Sequence, residues 1–323
     1  MKKTILFLIG GFYLFGFSFG VQGKALQKEI SNFSHVPKLV KEIGDPTATL
    51  IVMDDDDTLT MMMCDVSNPT KNCQYLGGPA WYSWQNTLLQ NYLDKTNDSH
   101  YRVADNQQQL FDIASLLLAI NNMGYTEIVI PTMLRDMTEK GVRLMVETAR
   151  GNSDVAATHS QFSNLKAGTT NFSSLIESNA PIFDQANAPS LASPFSACNI
   201  PGYRDITYQQ GVIYVSGQNK GILLKCMLNQ YNKEAINSGL GMPIKYIIFM
   251  DDTLQNVIDM RNAFKHEENY HVYALHYTAL QEHKAALTQG KNKAKFQKNA
   301  NERWQAIKSA LQTNLLQPNL GGE

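Results

Sequence analysis

Leu50-Ile51-Val52-Met53-Asp54-Asp55-Asp56-Asp57-Thr58-Leu59-Thr60 runs four apolar residues straight into four carboxylates. The apolar part, with β-branched Ile51 and Val52, reads as a short buried strand. So many negative charges at a strand end repel one another unless a cation or a phosphate-binding frame accompanies them. Taken alone, such a run is as often a solvated acidic turn. The rest of the chain decides between the two.

Working outward, the pattern recurs. Val142 to Val146 reads as a second strand, and it ends in Glu147-Thr148-Ala149-Arg150-Gly151, where a hydroxyl and Ala-Arg-Gly suit a phosphate contact. Ile206-Thr207-Tyr208 and Gly211 to Val215 read as two strands joined at Gln209-Gln210. The polar run Ser216 to Gly221 then opens a helix carrying Ile222, Leu223, Leu224, Met227 and Leu228. Tyr246 to Met250 is another buried strand, and it too runs into paired acids, Asp251-Asp252, before a helix from Thr253. A last strand, His271 to His276, precedes a helix with Phe296, Ala300, Ile307 and Leu311 on one face. The lysines between Lys291 and Lys298 are a solvated face of it rather than a binding patch.

Strands alternating with helices imply an α/β fold, a mainly parallel sheet with helices on both sides in three layers. In such sheets, polar groups at strand C-termini converge on one crevice. Asp54, Asp56, Thr148 and Asp251-Asp252 all sit at such ends.

Between the acidic strand and the next strand–helix unit lie some 65 residues, too many for a plain loop. They hold Met61-Met62-Met63-Cys64, then Gly77-Gly78-Pro79, the aromatics Trp81, Tyr82 and Trp84, and a helix from about Gln107 to Met123 with Leu110, Ile113, Leu117 and Ile120 at helical spacing. An inserted helical cap over 61–125 is expected, with the aromatics lining the cap or the pocket. Pro131 starts a helix that Gly141 follows. Lys24 to Gly44 reads as one helix leading into the first strand. Asn152 to Asp205, rich in Ser, Asn, Ala and Pro, reads as irregular structure and short helices.

The 323 residues are 43% hydrophobic and 18% charged, with a net charge of −1. That length suits one globular α/β domain with an insertion, and the near-neutral balance indicates no nucleic-acid partner. Met1-Lys2-Lys3 followed by an apolar run to about Val21 reads as a signal peptide, with a cleavage region near Gly23; an uncleaved anchor is the competing reading. With 1–23 removed, no membrane span is expected, and the chain would be periplasmic or secreted. Export makes Cys64, Cys73, Cys198 and Cys226 matter. Cys64 and Cys73 flank a polar loop and suit a local disulfide. Cys226 lies in an apolar helical pattern and reads as a buried thiol.

Carboxylates at one sheet edge, with few His or Cys nearby, suit a hard cation such as Mg2+. An EF-hand reading fails, because position six of a loop begun at Asp54 is Leu59 rather than Gly. Zinc fails too, because the seven histidines show no HxxxH or HExxH spacing. A carboxylate beside a divalent ion can attack phosphorus, and a lysine at a helix start, such as Lys220, can neutralise the charge that develops.

The order Asp54-x-Asp56-x-Thr58, then Thr148, then Lys220, then Asp251-Asp252 resembles the four motifs of the haloacid dehalogenase (HAD) superfamily. The resemblance runs from about Leu50 to Thr278. It is similar in its later stretch to an exported bacterial branch of unknown function, in which a Gly-to-Trp segment follows the first motif, as Gly77 to Trp81 and Trp84 approximate. Thr58 fixes the register: a nucleophile at Asp55 would put Leu59 where the motif has Thr. The resemblance implies that Asp54 is the nucleophile and Asp56 the acid and base. It implies that Thr148 and Lys220 hold the phosphoryl oxygens, and that Asp54, Asp56, Asp251 and Asp252 make up the metal site. Lys225, the rival for Lys220, falls inside the helix pattern.

The expectation is therefore a Mg2+-dependent phosphatase acting through an aspartyl-phosphate on a small-molecule or protein phosphoester. Its core would comprise 24–60 and 126–323, with 61–125 as the cap. An exported binding protein without turnover and a phosphotransferase are the alternatives.

Overall fold

The computed structural model describes residues 24–64, 73, 75–183, 194–238 and 242–315. The expected signal peptide, 1–23, lies outside them. The first described element is a strand, β1 (Lys24–Ile30), followed by helix α1 (His35–Ile43). This corrects the expectation of one helix over Lys24 to Gly44. β1 is an edge strand paired in parallel with β12 (His271–Tyr277), in register from Lys24 opposite His271 to Ile30 opposite Tyr277. Only Ile30 of its seven residues is buried. Backbone pairing with no buried face leaves no alternation in the sequence.

β2 (Thr49–Met53) is buried along its whole length and feeds the acidic run. A short strand, β3 (Thr60–Met62), then pairs antiparallel with β4 (Met123–Tyr125). Between them lie helices α2 (Pro79–Leu93) and α3 (Gln107–Ile120). Asn106 caps α3 by accepting the Gln109 N–H at 3.0 Å. Helix α4 (Ile130–Thr138), with Pro131 in its first turn, leads to β5 (Arg143–Thr148).

Helix α5 (Val155–Asn164), the small hairpin of β6 (Lys166–Ala167) and β7 (Thr170–Asn171), helix α6 (Phe172–Asn179) and β8 (Phe195–Ser196) follow. β9 (Asp205–Gln209) and β10 (Val212–Tyr214), expected as two strands joined by a turn at Gln209-Gln210, pair antiparallel, and the turn falls one residue later. That turn places Gln210 and Gly211 at φ 52° and 81°, the left-handed backbone that a tight hairpin needs. Helix α7 (Lys220–Ser238), β11 (Tyr246–Asp251), helix α8 (Leu254–Phe264), β12, helix α9 (Gln281–Ala285) and helix α10 (Lys293–Asn314) complete the described chain.

The main sheet has the order β1-β12-β11-β2-β5-β10-β9-β8. β1 to β10 in that order are parallel neighbours, and only the pairs β10–β9 and β9–β8 are antiparallel. The fold is thus α/β, a mostly parallel sheet with helices on both faces. Period-2 alternation divides each central strand between two cores. Ile51, Met53, Leu144, Val146, Ile248 and Met250 pack under α1, α4, α5 and α6. Leu50, Val52, Met145, Ile247 and Phe249 pack under α7 and α8.

A third apolar cluster stands apart from the sheet. Trp81 and Trp84 of α2 and Leu110, Ile113 and Leu117 of α3 pack against Leu287, Ala300 and Trp304. The last helix, α10, therefore belongs with α2 and α3 rather than with the sheet. Trp81 and Trp84 are the centre of that cluster, while Tyr82 stacks on Phe111 at 6.1 Å between ring centroids.

Candidate active site

β2 and β11 are adjacent, and both end in acids at the same sheet edge. The Asp54 N–H donates to Met250 O at 2.8 Å, so the first acid is fixed to the end of the neighbouring strand. Beyond it the chain turns sharply. Leu59 N–H and Thr60 N–H both donate to Asp55 O, and Asp57 adopts φ 60°, a left-handed backbone rare for a residue other than glycine. Thr60 Oγ1 donates to Asp55 Oδ1 at 2.6 Å, and Thr58 Oγ1 accepts the Asp252 N–H at 2.9 Å. Thr58 thereby joins the first acidic loop to the last.

Lys220 opens α7 because Asn219 caps that helix, accepting the Ile222 N–H at 3.0 Å. The Lys220 side chain, 1% exposed, reaches back under the sheet edge and donates to both Asp54 Oδ1 and Asp251 Oδ2, the latter at 2.7 Å. Burial works against its charge. Asp251, Asp54 and Glu147 outweigh that and hold the ammonium above its usual pKa. Asp251 Oδ1 also accepts the Thr253 N–H at 2.8 Å and the Asn256 amide at 3.1 Å. Lys225, the rival lysine, pairs instead with Glu267 at 3.1 Å, away from this cluster.

One oxygen from each of Asp54, Asp251 and Asp252 lies within 4.8 Å of the other two. All three residues are buried. Three carboxylate oxygens so placed are a donor set of the kind Mg2+ takes, so the residues fit the ion that the sequence implies. In this arrangement two lysines neutralise them, Lys220 from below and Lys284 of α9, whose Nζ donates to Asp252 Oδ2 at 2.7 Å and Thr253 Oγ1 at 2.6 Å.

Asp56 points elsewhere. Its carboxylate receives two parallel bonds from Arg150, Nε to Oδ2 at 2.8 Å and Nη2 to Oδ1 at 2.7 Å. Thr148 closes β5, the strand beside β2, and its hydroxyl accepts the Arg150 N–H at 3.3 Å. The candidates therefore fall into two groups. Asp54, Lys220, Asp251 and Asp252 form one, and Asp56 and Thr148, linked through Arg150, form the other.

A family model described as protein of unknown function (DUF2608) matches residues 29–317. The chain belongs to that family. No curated protein matches it. Among solved structures, the crystal structure of cytosolic 5'-nucleotidase IIIB bound to cytidine is similar at 13% identity, with a TM-score of 0.34 over 85% of this chain and 92% of that one.

For this DUF2608 chain, three residues of the site escape sequence reasoning as partners. Glu147, wholly buried, has neither carboxylate oxygen hydrogen-bonded among the described residues, and burial pushes it up to about 8. Its place before Thr148 on a buried strand is the signal that could have found it. Lys284 lies on a short helix with no motif around it. Asp57 is 1% exposed with both oxygens likewise unbonded, and His283 Nε2 stands 3.8 Å from its Oδ1.

The cysteines pair as Cys64–Cys73 and Cys198–Cys226. The first is the expected local link. The second corrects the expectation for Cys226, which is no free thiol: its partner comes from the polar stretch before β9, a contact that helical spacing cannot report. Two disulfides fit an oxidising compartment. No helix of the described residues is long and apolar enough to cross a membrane.

Proposed function

We propose that this protein is an exported, HAD-like, Mg2+-dependent phosphohydrolase that works through an aspartyl-phosphate on Asp54. The observation that carries the reading is the meeting of Asp54, Lys220 and Asp251 at one sheet edge, with Asp252 close enough to share a cation. Stability alone does not call for such a buried cluster of a lysine and two carboxylates; apolar residues in place of the whole set would serve it as well or better. Residues 24–60 and 126–323 would form the core, and 61–125 the cap that shields the intermediate from bulk water.

An Asp54 carboxylate oxygen attacks phosphorus, and the bond from phosphorus to the ester oxygen breaks. Asp56 gives the departing alkoxide its proton. Water then attacks the same phosphorus, Asp56 takes its proton, and the bond between phosphorus and Asp54 breaks to release inorganic phosphate. Lys220 and Thr148 hold the phosphoryl oxygens through both steps. Asp54, Asp251 and Asp252 would hold Mg2+, which supplies Lewis-acid neutralisation of the phosphoryl charge, while Asp56, gripped by Arg150, stands outside that set. The substrate class is a phosphomonoester, small or carried on a protein.

The test is turnover of an activated aryl phosphate with Mg2+ and with chelator, beside Asp54→Asn. Turnover that needs the metal and vanishes in the variant supports the reading. Phosphate passed to an added alcohol in preference to water would make the protein a phosphotransferase. Metal binding without any turnover would favour a binding role, and no metal binding at all sinks the catalytic reading.

A further inference from the structure

The guanidinium of Arg150 is 5% exposed and is held by four protein side chains, Asp55, Asp56, Thr158 and Gln161. One edge grips Asp56 through both carboxylate oxygens, at 2.7 and 2.8 Å. Its Nη1 donates to Thr158 Oγ1 at 2.8 Å and to Gln161 Oε1 at 2.9 Å, and lies 2.9 Å from Asp55 Oδ2. Thr158 and Gln161 are one face of α5. Gln161 does not stop there: its Nε2 donates to Leu118 O at 2.7 Å, in the last turn of α3. Ser115 of α3 makes a second tie, donating to Asp154 Oδ1 at 2.6 Å. An unbroken chain of hydrogen bonds thus runs from α3, through Gln161 and Arg150, to Asp56.

We propose that Arg150 is the positioning residue for Asp56, and that Gln161 couples this grip to helix α3 of the cap. The proposal rests on the reading of Asp56 as acid and base given above. A bidentate guanidinium fixes a carboxylate in place and in plane, which a lysine cannot do. A carboxylate with both oxygens so held has no proton to give. Asp56 must therefore yield at least one Arg150 contact and take up a proton from water on the freed oxygen before it protonates a leaving group, and a shift of α3 against α5 moves the residue that holds Arg150. Cap position and acid position are then one variable.

A purely structural Arg150, there to neutralise buried Asp55, would on removal lower all rates alike. A positioning role reads differently, because loss of a general acid matters most for poor leaving groups. With wild-type protein, an alkyl phosphate and an activated nitrophenyl phosphate are compared in Arg150→Lys, Arg150→Gln, Gln161→Leu and Asp56→Asn. The expected result is a loss of kcat at least about tenfold larger on the alkyl ester than on the aryl ester in both Arg150 variants. Gln161→Leu should show the same bias more weakly, and Arg150→Gln/Asp56→Asn should be no slower than Asp56→Asn alone. Equal losses on both esters, or losses that multiply in the double variant, would overturn the role.

Should Arg150→Gln fail to fold, Gln161→Leu, which leaves no buried charge unpaired, carries the same comparison. A crystal structure of whichever Arg150 variant folds gives a readout free of activity. Asp56 displaced from its present place supports the proposal, and Asp56 unmoved overturns it. If wild-type protein hydrolyses neither ester, the phosphohydrolase reading fails, and that crystal structure still decides whether Arg150 places Asp56.

Discussion

Lys220 Nζ lies 2.7 Å from Asp251 Oδ2 and donates at the same time to Asp54, so one buried cation joins the acids of two adjacent strands, β2 and β11. The lysine comes from a third element, the first residue of α7. Its removal would leave the buried carboxylates of Asp54 and Asp251 without the cation that now pairs with both.

Lys220→Met should therefore destabilise the metal-free protein by about 3–5 kcal/mol, the usual result of removing one partner from a buried ion pair. Mg2+ should restore part of that loss, since an ion bound only by the folded state adds stability that rises with the logarithm of its concentration above its dissociation constant. The check is urea unfolding with and without Mg2+. An equal Mg2+ increment in wild type and variant would show that the ion and the lysine do not answer to the same carboxylates.

Glu147 offers a pH signature. Burial raises it from an ordinary 4.5 to about 8, so the folded protein keeps a proton there that the unfolded chain releases. Between those two values the folded state binds more protons, and stability falls as pH rises. Glu147→Gln removes this titration at nearly constant shape. The variant's gain over wild type, measured by thermal melts, should be small near pH 5 and grow steadily to pH 8. A gain that stays flat across that range would place the titration elsewhere.

What was legible in the sequence follows burial. β2, β5 and β11 are buried on both faces and read as apolar runs; each carries its polar residues to the same edge, so the run of apolar residues alone places Asp54, Thr148 and Asp251 there. β1 was illegible for the opposite reason, since an exposed edge strand has no apolar face to repeat. The Arg150–Asp56 grip spans 94 positions and obeys no period. The aromatic cluster at Trp81 and Trp84 was visible, but its partner Trp304 sits in the last helix, and only folding shows that α10 closes that cluster.

The two disulfides should differ in worth. Cys198–Cys226 closes 28 positions and Cys64–Cys73 only 9. Loop-closure entropy alone assigns about 3.6 kcal/mol to the first and about 2.6 kcal/mol to the second. Chemical unfolding of Cys226→Ser/Cys198→Ser and of Cys64→Ser/Cys73→Ser measures both. A costlier loss for the shorter loop would mean that native contacts near α2, rather than chain entropy, set the value of that bridge.

Gly221 ties helix packing to the site. A Cβ at this position would stand 2.6 Å from Asp259 O and 2.8 Å from Met260 Cα, both backbone of α8, which no rotamer change can relieve. The missing side chain is what lets the first turn of α7 press against α8, and that turn begins with Lys220. Gly221→Ala must push the two helices apart or tilt α7, at a cost of about 1–3 kcal/mol for overpacking. The same shift withdraws Lys220 from Asp54 and Asp251 while leaving every charged side chain present. Turnover of the aryl phosphate by Gly221→Ala should therefore fall much further than its stability, at a temperature where the variant is fully folded. Normal turnover in a destabilised variant would show that the lysine reaches its carboxylates from more than one helix position.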